Sequence, residues 1–213
     1  MEQLDIISQF TENTTLVSSV VHRVKTIEQA VETAISICKT TATSDCLTSS
    51  ENETQAPQNA ANKQKTLAAH GLDGPSFKIL EDLCRQNDIT LVTDTLRNHG
   101  NGIHVGMTFA DFGIAETGTL VINSDSEEKR LITMISNVHV AILPVSNIRE
   151  AALDMVDELE GLISNPSSYT AFITGPSRTA DIERVLAIGV HGPLELHIVL
   201  LENQNPTPEP DRS

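Results

Sequence analysis

Tryptophan is absent from this 213-residue sequence, and one tyrosine and five phenylalanines bring the aromatic content to only 3%. A stacking platform for bases, or an aromatic cage, would have to be built from very little material, so the core must be aliphatic. Basic residues are scarce too: 14 Lys and Arg stand against 29 Asp and Glu, a net charge of −15. Such a surface repels phosphate backbones unless its few cations cluster, which argues against a nucleic-acid partner. The only cysteines are Cys38, Cys46 and Cys84, at intervals that match neither a CxxC metal pair nor the runs that hold iron–sulfur clusters. No cofactor of that kind is expected on this chain alone. The odd count suits reduced thiols in a cytosol, and Cys38 and Cys84, each following an apolar helical pattern, read as buried structural thiols. No apolar run nears the roughly 20 residues that span a bilayer, and Glu2 and Asp5 stand where a signal peptide places basic residues. The expectation is a cytoplasmic chain with no membrane span.

What is present, 39% hydrophobic residues in 213, suffices for one sizeable core. Residues 3–12 read as helix, the β-branched run 15–24 as strand, and Ile27, Val31, Ala34, Ile35 and Cys38 recur at helical spacing. From about 40 to 66 the composition turns to Thr, Ser, Asn, Gln and Ala, a polar loop with one short strand near 45–48. A helix through Phe77, Leu80, Leu83 and Cys84 leads to a strand at 89–92. The block 98–106 holds three glycines and the histidines His99 and His104, and beyond it two strands meet at the polar turn 116–119. The apolar stretch 112–115 follows, then strands at 120–123 and 138–143, a long amphipathic helix over 148–163, a strand at 170–174, a helix over 179–188 and a last strand at 195–201. Alternating strands and helices imply one α/β layered domain with a mostly parallel sheet over 1–202. The proline-bearing tail 203–213 reads as disordered.

Function in such folds sits in turns beyond strand ends, and three turns carry suitable chemistry. In Ala115-Glu116-Thr117-Gly118-Thr119 a strand delivers a carboxylate and two hydroxyls to a turn whose glycine permits close approach. Glu116 could act as nucleophile or general base, or simply pair with a surface cation. In Gly175-Pro176-Ser177-Arg178-Thr179-Ala180-Asp181-Ile182-Glu183 a strand runs into a helix start, where free amides, a hydroxyl and the Arg178 guanidinium suit a carboxylate or phosphate. Equally, Ser177 or Thr179 could cap that helix with Asp181 opposing its dipole. In Gly189-Val190-His191-Gly192-Pro193, His191 could carry a proton or satisfy neighbouring carbonyls. The intervals His191 to His197 and His99 to His104 match no standard metal spacing.

These three blocks, in this order and with Leu196-His197-Ile198-Val199-Leu200 after them, resemble the signature blocks of the LUD-domain family, of the lactate-utilization protein C type. Weaker similarity runs from about residue 5 to 201, and Arg130 and the strand at Val138 fit the family's middle region. Ile135-Ser136-Asn137 departs from it, standing where a Leu-Pro-Pro-like turn is expected. The resemblance implies a Rossmann-like α/β/α domain related to the sugar-isomerase and CoA-transferase fold. It implies a role in oxidation of L-lactate to pyruvate beside iron–sulfur partner subunits, which would carry the clusters. The expected site for a small carboxylate or phosphate comprises Thr117, Gly118, Thr119, Gly175, Ser177, Arg178, Thr179, Asp181 and His191, with Glu116 as the catalytic candidate and no metal. The alternatives are an independent enzyme of CoA-transferase or isomerase type working through Glu116, and a ligand-free scaffold whose acidic surface steers basic partners. A homo-oligomer is compatible with any of these readings.

Overall fold

The computed structural model describes residues 3–42, 64–99, 102–124, 126–163, 169–182, 185–188 and 192–202. In chain order the elements are α1 (Gln3–Leu16), β1 (Val20–Val24), α2 (Ile27–Thr40), β2 (Lys65–Ala69), α3 (Gly74–Gln86), β3 (Ile89–Leu91), β4 (Ile103–Phe109), β5 (Phe112–Ile114), β6 (Thr119–Ser124), α4 (Glu127–Ile135) and β7 (Ser136–Pro144). They continue with β8 (Ile148–Arg149), α5 (Val156–Ile163), β9 (Tyr169–Ile173), β10 (Arg178–Ile182), β11 (Val185–Ile188) and β12 (Glu195–Leu201). The helix starts are locally encoded: Thr26 accepts a hydrogen bond from the Gln29 amide, Asp73 from Ser76 and Ser126 from Lys129.

Six strands form one sheet in the order β1-β12-β7-β4-β2-β3, every pairing parallel. Parallel sheets need cover on both faces. One face is covered by α2 and α3, whose Ala30, Val31, Ala34, Cys38, Leu80 and Cys84 pack on Leu67, Val105, Met107, Val138, Val140, Ile142 and Val199. On the other face α1 inserts Ile7 and Phe10 against Ala141, Leu143, Leu196, Ile198 and Leu200, together with Leu120 and Ile122 of a second sheet. That sheet has the order β8-β5-β6-β9 and mixed direction. Beside it, Ile132 of α4 packs on Ala68 and Ile103. The layered α/β expectation therefore holds for the parallel sheet, while the second face is roofed partly by strands rather than by helices alone.

Several local expectations are corrected. The strand read over 15–24 shortens to β1, because α1 runs on to Leu16, with the Thr14 and Thr15 hydroxyls satisfied by the Phe10 and Thr11 carbonyls. The long helix over 148–163 is three pieces. Ile148 and Arg149 pair with Gly113 and Ile114, and a 3₁₀ turn spans Ala152–Met155, leaving only α5 as α-helix. The helix over 179–188 is the antiparallel pair β10 and β11, with Arg178 opposite Ile188 and Thr179 opposite Ala187. The block 98–106 enters β4 at Ile103, and a Cβ at Gly106 would fall 2.0 Å from Ser136 Oγ, so the glycine there serves strand packing. β2 and α4 were not anticipated. The strand expected near 45–48 and the tail 203–213 lie outside the described residues. Among the described residues no helix is long and apolar enough to cross a membrane.

Candidate functional site

The turn between β5 and β6 is tied to α1. Asn13 Nδ2 donates to the Ala115 and Glu116 carbonyls at 2.8 and 3.1 Å. Gly118 has φ +63°, and a Cβ there would lie 2.5 Å from the Thr14 amide nitrogen, so this position needs glycine for both its conformation and its proximity. Thr117, Thr119 and Thr174 link hydroxyl to hydroxyl at 2.8 and 2.7 Å, joining the turn to the end of β9. Glu116 is exposed, and its Oε1 accepts the Ala152 amide at 3.1 Å, holding the start of the 3₁₀ turn. The carboxylate expected to be catalytic thus has a backbone partner.

The second block meets the same helix one turn later. Gly175, at φ +77°, would place a Cβ 2.4 Å from the Val17 carbonyl oxygen. The exposed Arg178 donates from Nη2 to the Val17 carbonyl at 3.1 Å and to Ser18 Oγ. Ser177 donates its amide to the Pro193 carbonyl at 2.9 Å, and Gly192 packs on the Ser177 side chain. Since β10 begins at Arg178, no helix starts here, and the anion site built on helix amides is withdrawn. Thr179 and Asp181 are residues of β10, and His191 lies outside the described residues. The described parts of the three blocks, far apart in sequence, therefore converge around the end of α1 and the amino ends of β1, β12 and β7. Two buried polar atoms border this junction without a hydrogen-bond partner: Ser19 Oγ, just before β1, and Asn137 Oδ1, whose residue accepts the Leu194 amide through its backbone carbonyl. A groove of about 470 Å³ between Ser8, Thr11, Glu12, Thr15, Leu16 and Arg23 includes none of the signature residues.

A histidine pair went unanticipated. His22 Nε2 lies 3.0 Å from His197 Nδ1, the rings stack at 5.3 Å, and His197 Nε2 meets Glu195 Oε2 at 3.1 Å. With a neutral His197 donating from Nε2 to that carboxylate, Nδ1 accepts and His22 donates from Nε2. Burial, and then proximity to His197, lower the His22 pKa. His139 is buried beside Thr108 Oγ1 at 2.9 Å, and burial pushes its pKa down to about 4. Neither arrangement is a metal site: no group of three or more His, Cys, Asp or Glu among the described residues is placed to hold an ion.

A further polar cluster lies at the opposite end of the parallel sheet. His70, immediately after β2, places Nε2 3.0 Å from Ser126 Oγ at the start of α4. Lys129, one turn on and buried, reaches Asp111 Oδ2 at 3.3 Å, just after β4. The same oxygen accepts the Asn123 amide at 2.7 Å, and Asn147 Nδ2 donates to the Asp111 carbonyl at 2.9 Å. Spacing gives no sign of this group; the one local signal that could have pointed to it is Ser126 ahead of the acidic first turn of α4.

Comparison with known proteins matches residues 7–201 to the LUD domain. Proteins called lactate utilization protein C are similar. That of Oceanobacillus iheyensis is 31% identical over 150 residues, covering 67% of this chain and 62% of that protein. That of Anoxybacillus flavithermus is 30% identical over 169 residues, covering 71% and 74%, and that of Bacillus subtilis 35% over 105 residues, covering 47% and 43%. Against the first and third of these the chain spans less than two thirds of the relative's length. The crystal structure of a DUF162 family protein from Deinococcus radiodurans superposes with a TM-score of 0.59 at 14% identity, covering 94% of this chain and 99% of that one. At that identity the likeness concerns the fold alone.

Proposed function

The chain belongs to the LUD-domain family, and from that membership we propose that it is a subunit of a system oxidising L-lactate to pyruvate in the cytoplasm. Its partners in this reading are iron–sulfur subunits that carry the electrons, the 29 acidic residues of this chain steering their approach. The relatives' shared name supports the lactate role, and kinship with the sugar-isomerase and CoA-transferase fold is part of the same reading. The signature junction is the proposed site for a small carboxylate or phosphate. Arg178 supplies the charge, Ser177 and the Thr117–Thr119 hydroxyl pair supply polar neighbours, and Gly118 and Gly175 fix the turns. Thr179, Asp181 and His191 complete the set proposed from the sequence.

The observation that carries this location is the convergence of three separated blocks beside the unpartnered Ser19 Oγ and Asn137 Oδ1, since buried polar atoms are ordinarily satisfied and an empty valence marks a place for a ligand or water. The acyl-transfer alternative through Glu116 gains no support, because that carboxylate is exposed and bonded to the Ala152 amide. The test is anaerobic purification of the native protein from its own cells, with iron content and lactate-dependent electron transfer measured beside an Arg178→Ala variant. Iron–sulfur partners with lactate-dependent reduction are expected. A lone, iron-free protein without that activity would overturn the reading.

A further inference from the structure

We propose that the crevice at the carboxyl ends of β2 and β4 is a second small-molecule site, taking a short 2-hydroxy or 2-oxo carboxylate between Lys129, His70 and Ser126. The topology places it where open parallel sheets bind ligands. After β2 the chain crosses through α3 on one face, and after β4 it leaves through the second sheet and α4 on the other. The connections thus diverge between these neighbouring strands, the arrangement at whose carboxyl ends open parallel sheets bind ligands. His70 and Asp111 leave the two strands on either side of that divergence, and Ser126 and Lys129 come from α4.

Two features of Lys129 set it apart from a packing residue. It is only 9% exposed, whereas lysines are almost never fully buried, and it stands in the first turn of a helix, where the dipole disfavours a cation. Its ammonium carries three donors, and Asp111 at 3.3 Å is the one side chain that an Nζ–H meets among the described residues. A fully engaged charged pair would be shorter, at roughly 2.7–2.9 Å. The ammonium therefore retains donor capacity for a ligand carboxylate.

The His70–Ser126 pair supplies the complementary half. Ser126 Oγ accepts the Lys129 amide at 3.1 Å and shares a hydrogen bond with His70 Nε2; in the tautomer where Ser126 donates, the imidazole carries its own proton on Nδ1. This leaves an N–H donor for a 2-oxo group, and a hydroxyl that can turn toward a 2-hydroxy group. A carboxylate on Lys129 with an oxygen on the adjacent carbon is the ligand that uses both halves. A plain fatty acid uses one, and inorganic phosphate has no carbon-borne oxygen to discriminate. The choice of hydroxy acid rests on the proposed lactate role, while the site rests on the geometry and lies at the other end of the sheet from the signature junction.

The test is calorimetric titration of the full chain with L-lactate, pyruvate, propionate and phosphate, repeated on Lys129→Met, His70→Gln and the remote Arg85→Ala. Fold is checked by circular dichroism, and the His70 ring resonances are followed by NMR. Saturable lactate or pyruvate binding is expected, about tenfold or more weaker in Lys129→Met for the loss of one charge-assisted hydrogen bond, with Arg85→Ala unchanged. His70→Gln should bring lactate and pyruvate down to the level of propionate, which keeps the proposal testable if Lys129→Met does not fold. Equal binding of propionate and lactate by the native chain, preference for phosphate, or undiminished lactate binding in both crevice variants would overturn the site. So would binding lost in Arg178→Ala but kept in Lys129→Met. Growth on lactate separates the two readings: if deleting the chain abolishes growth but no crevice binding is found, the system role stands and the site fails. Crevice binding with unimpaired growth sustains the site and overturns the lactate role.

Discussion

Replacing Gly118 with alanine tests whether the signature junction is a latch on α1. The residue sits at φ +63°, where a Cβ costs roughly 1–2 kcal/mol against the following carbonyl. The same Cβ would lie 2.5 Å from the Thr14 amide nitrogen, 2.7 Å from the Asn13 carbonyl carbon and 2.8 Å from Thr14 Cα. All three are backbone atoms, so relief requires moving a helix whose Thr14 and Phe10 are fully buried. Overpacking of that kind costs about 1–3 kcal/mol. Together the loss is about 2–5 kcal/mol, a large part of the ~5–15 kcal/mol that stabilises a domain, and lowers Tm by roughly 4–20 °C. Urea unfolding followed by circular dichroism, beside thermal melts, measures it. Gly161→Ala is the internal control: nothing lies within 4 Å of a Cβ there and the residue is inside α5, so a gain of roughly 0.5–1 kcal/mol is expected. Gly175→Ala, with its Cβ 2.4 Å from the Val17 carbonyl oxygen, should lose stability like Gly118→Ala. If Gly118→Ala unfolds within about 0.5 kcal/mol of the native chain, the range of unremarkable surface changes, the latch is refuted.

His139 gives the chain an acid-sensitive limb. Its folded pKa of about 4 lies below the ordinary 6.5, so the unfolded state takes up a proton first. Its contribution to stability is intact above pH 6.5 and lost as pH falls toward 4, amounting to about 3 kcal/mol. Urea unfolding at stepped pH should show the decline, and His139→Gln should flatten it to what His22, shifted in the same direction, contributes; an unchanged slope in that variant would remove His139 as the cause. The buried thiols of Cys38 and Cys84 are pushed up to about 12 and about 11, and the thiolate is the reactive form. With three cysteines in the chain, a colorimetric disulfide reagent at pH 8 should find at most one reactive thiol in the native protein and all three in denaturant. Rapid reaction of two in the native state would contradict their burial.

The parts of the fold legible in the sequence are those where burial imposes a continuous pattern. β7 is buried at every position from Ser136 to Pro144 and β12 at all but its first, so both appear as apolar runs long enough to identify. In α2 and α3 the apolar residues recur at the helical period and the ends carry caps. β4 shows no continuous apolar run because His104 and Gly106 interrupt it, yet His104 hydrogen-bonds Thr66 on the neighbouring strand and Gly106 makes room for Ser136 and Ile132. Residues 179–188 were misassigned because Ile182, Val185 and Leu186 fit either a helix or two short strands. Only tertiary pairing decides between them. His22 and His197 could not be linked from sequence at all, since the link is made by the parallel register that sets Val20 beside His197.

The three turns singled out in the sequence occupy an instructive place. Ligands gather at the carboxyl ends of parallel strands, and the sequence offered three turns that looked like such ends. One joins β5 and β6 within the second sheet, one leads from β9 of that sheet to β10 of the two-stranded pair, and the third leads into the amino end of β12. Gly118 and Gly175 are demanded by the backbone of α1 and of Val17 just after it, at 2.5 and 2.4 Å from a Cβ. A steric requirement of that sort leaves a contiguous, recognisable signature in the sequence. Residues that meet at a true carboxyl-end crevice need no contiguity: His70, Asp111, Ser126 and Lys129 come from three separate parts of the chain and are joined by 3.0 and 3.3 Å contacts that no local pattern encodes. The two kinds of constraint predict opposite mutational profiles. Substitutions at Gly118 and Gly175 should lower stability before they alter binding, whereas His70→Gln should alter ligand discrimination while leaving the unfolding midpoint close to that of the native chain.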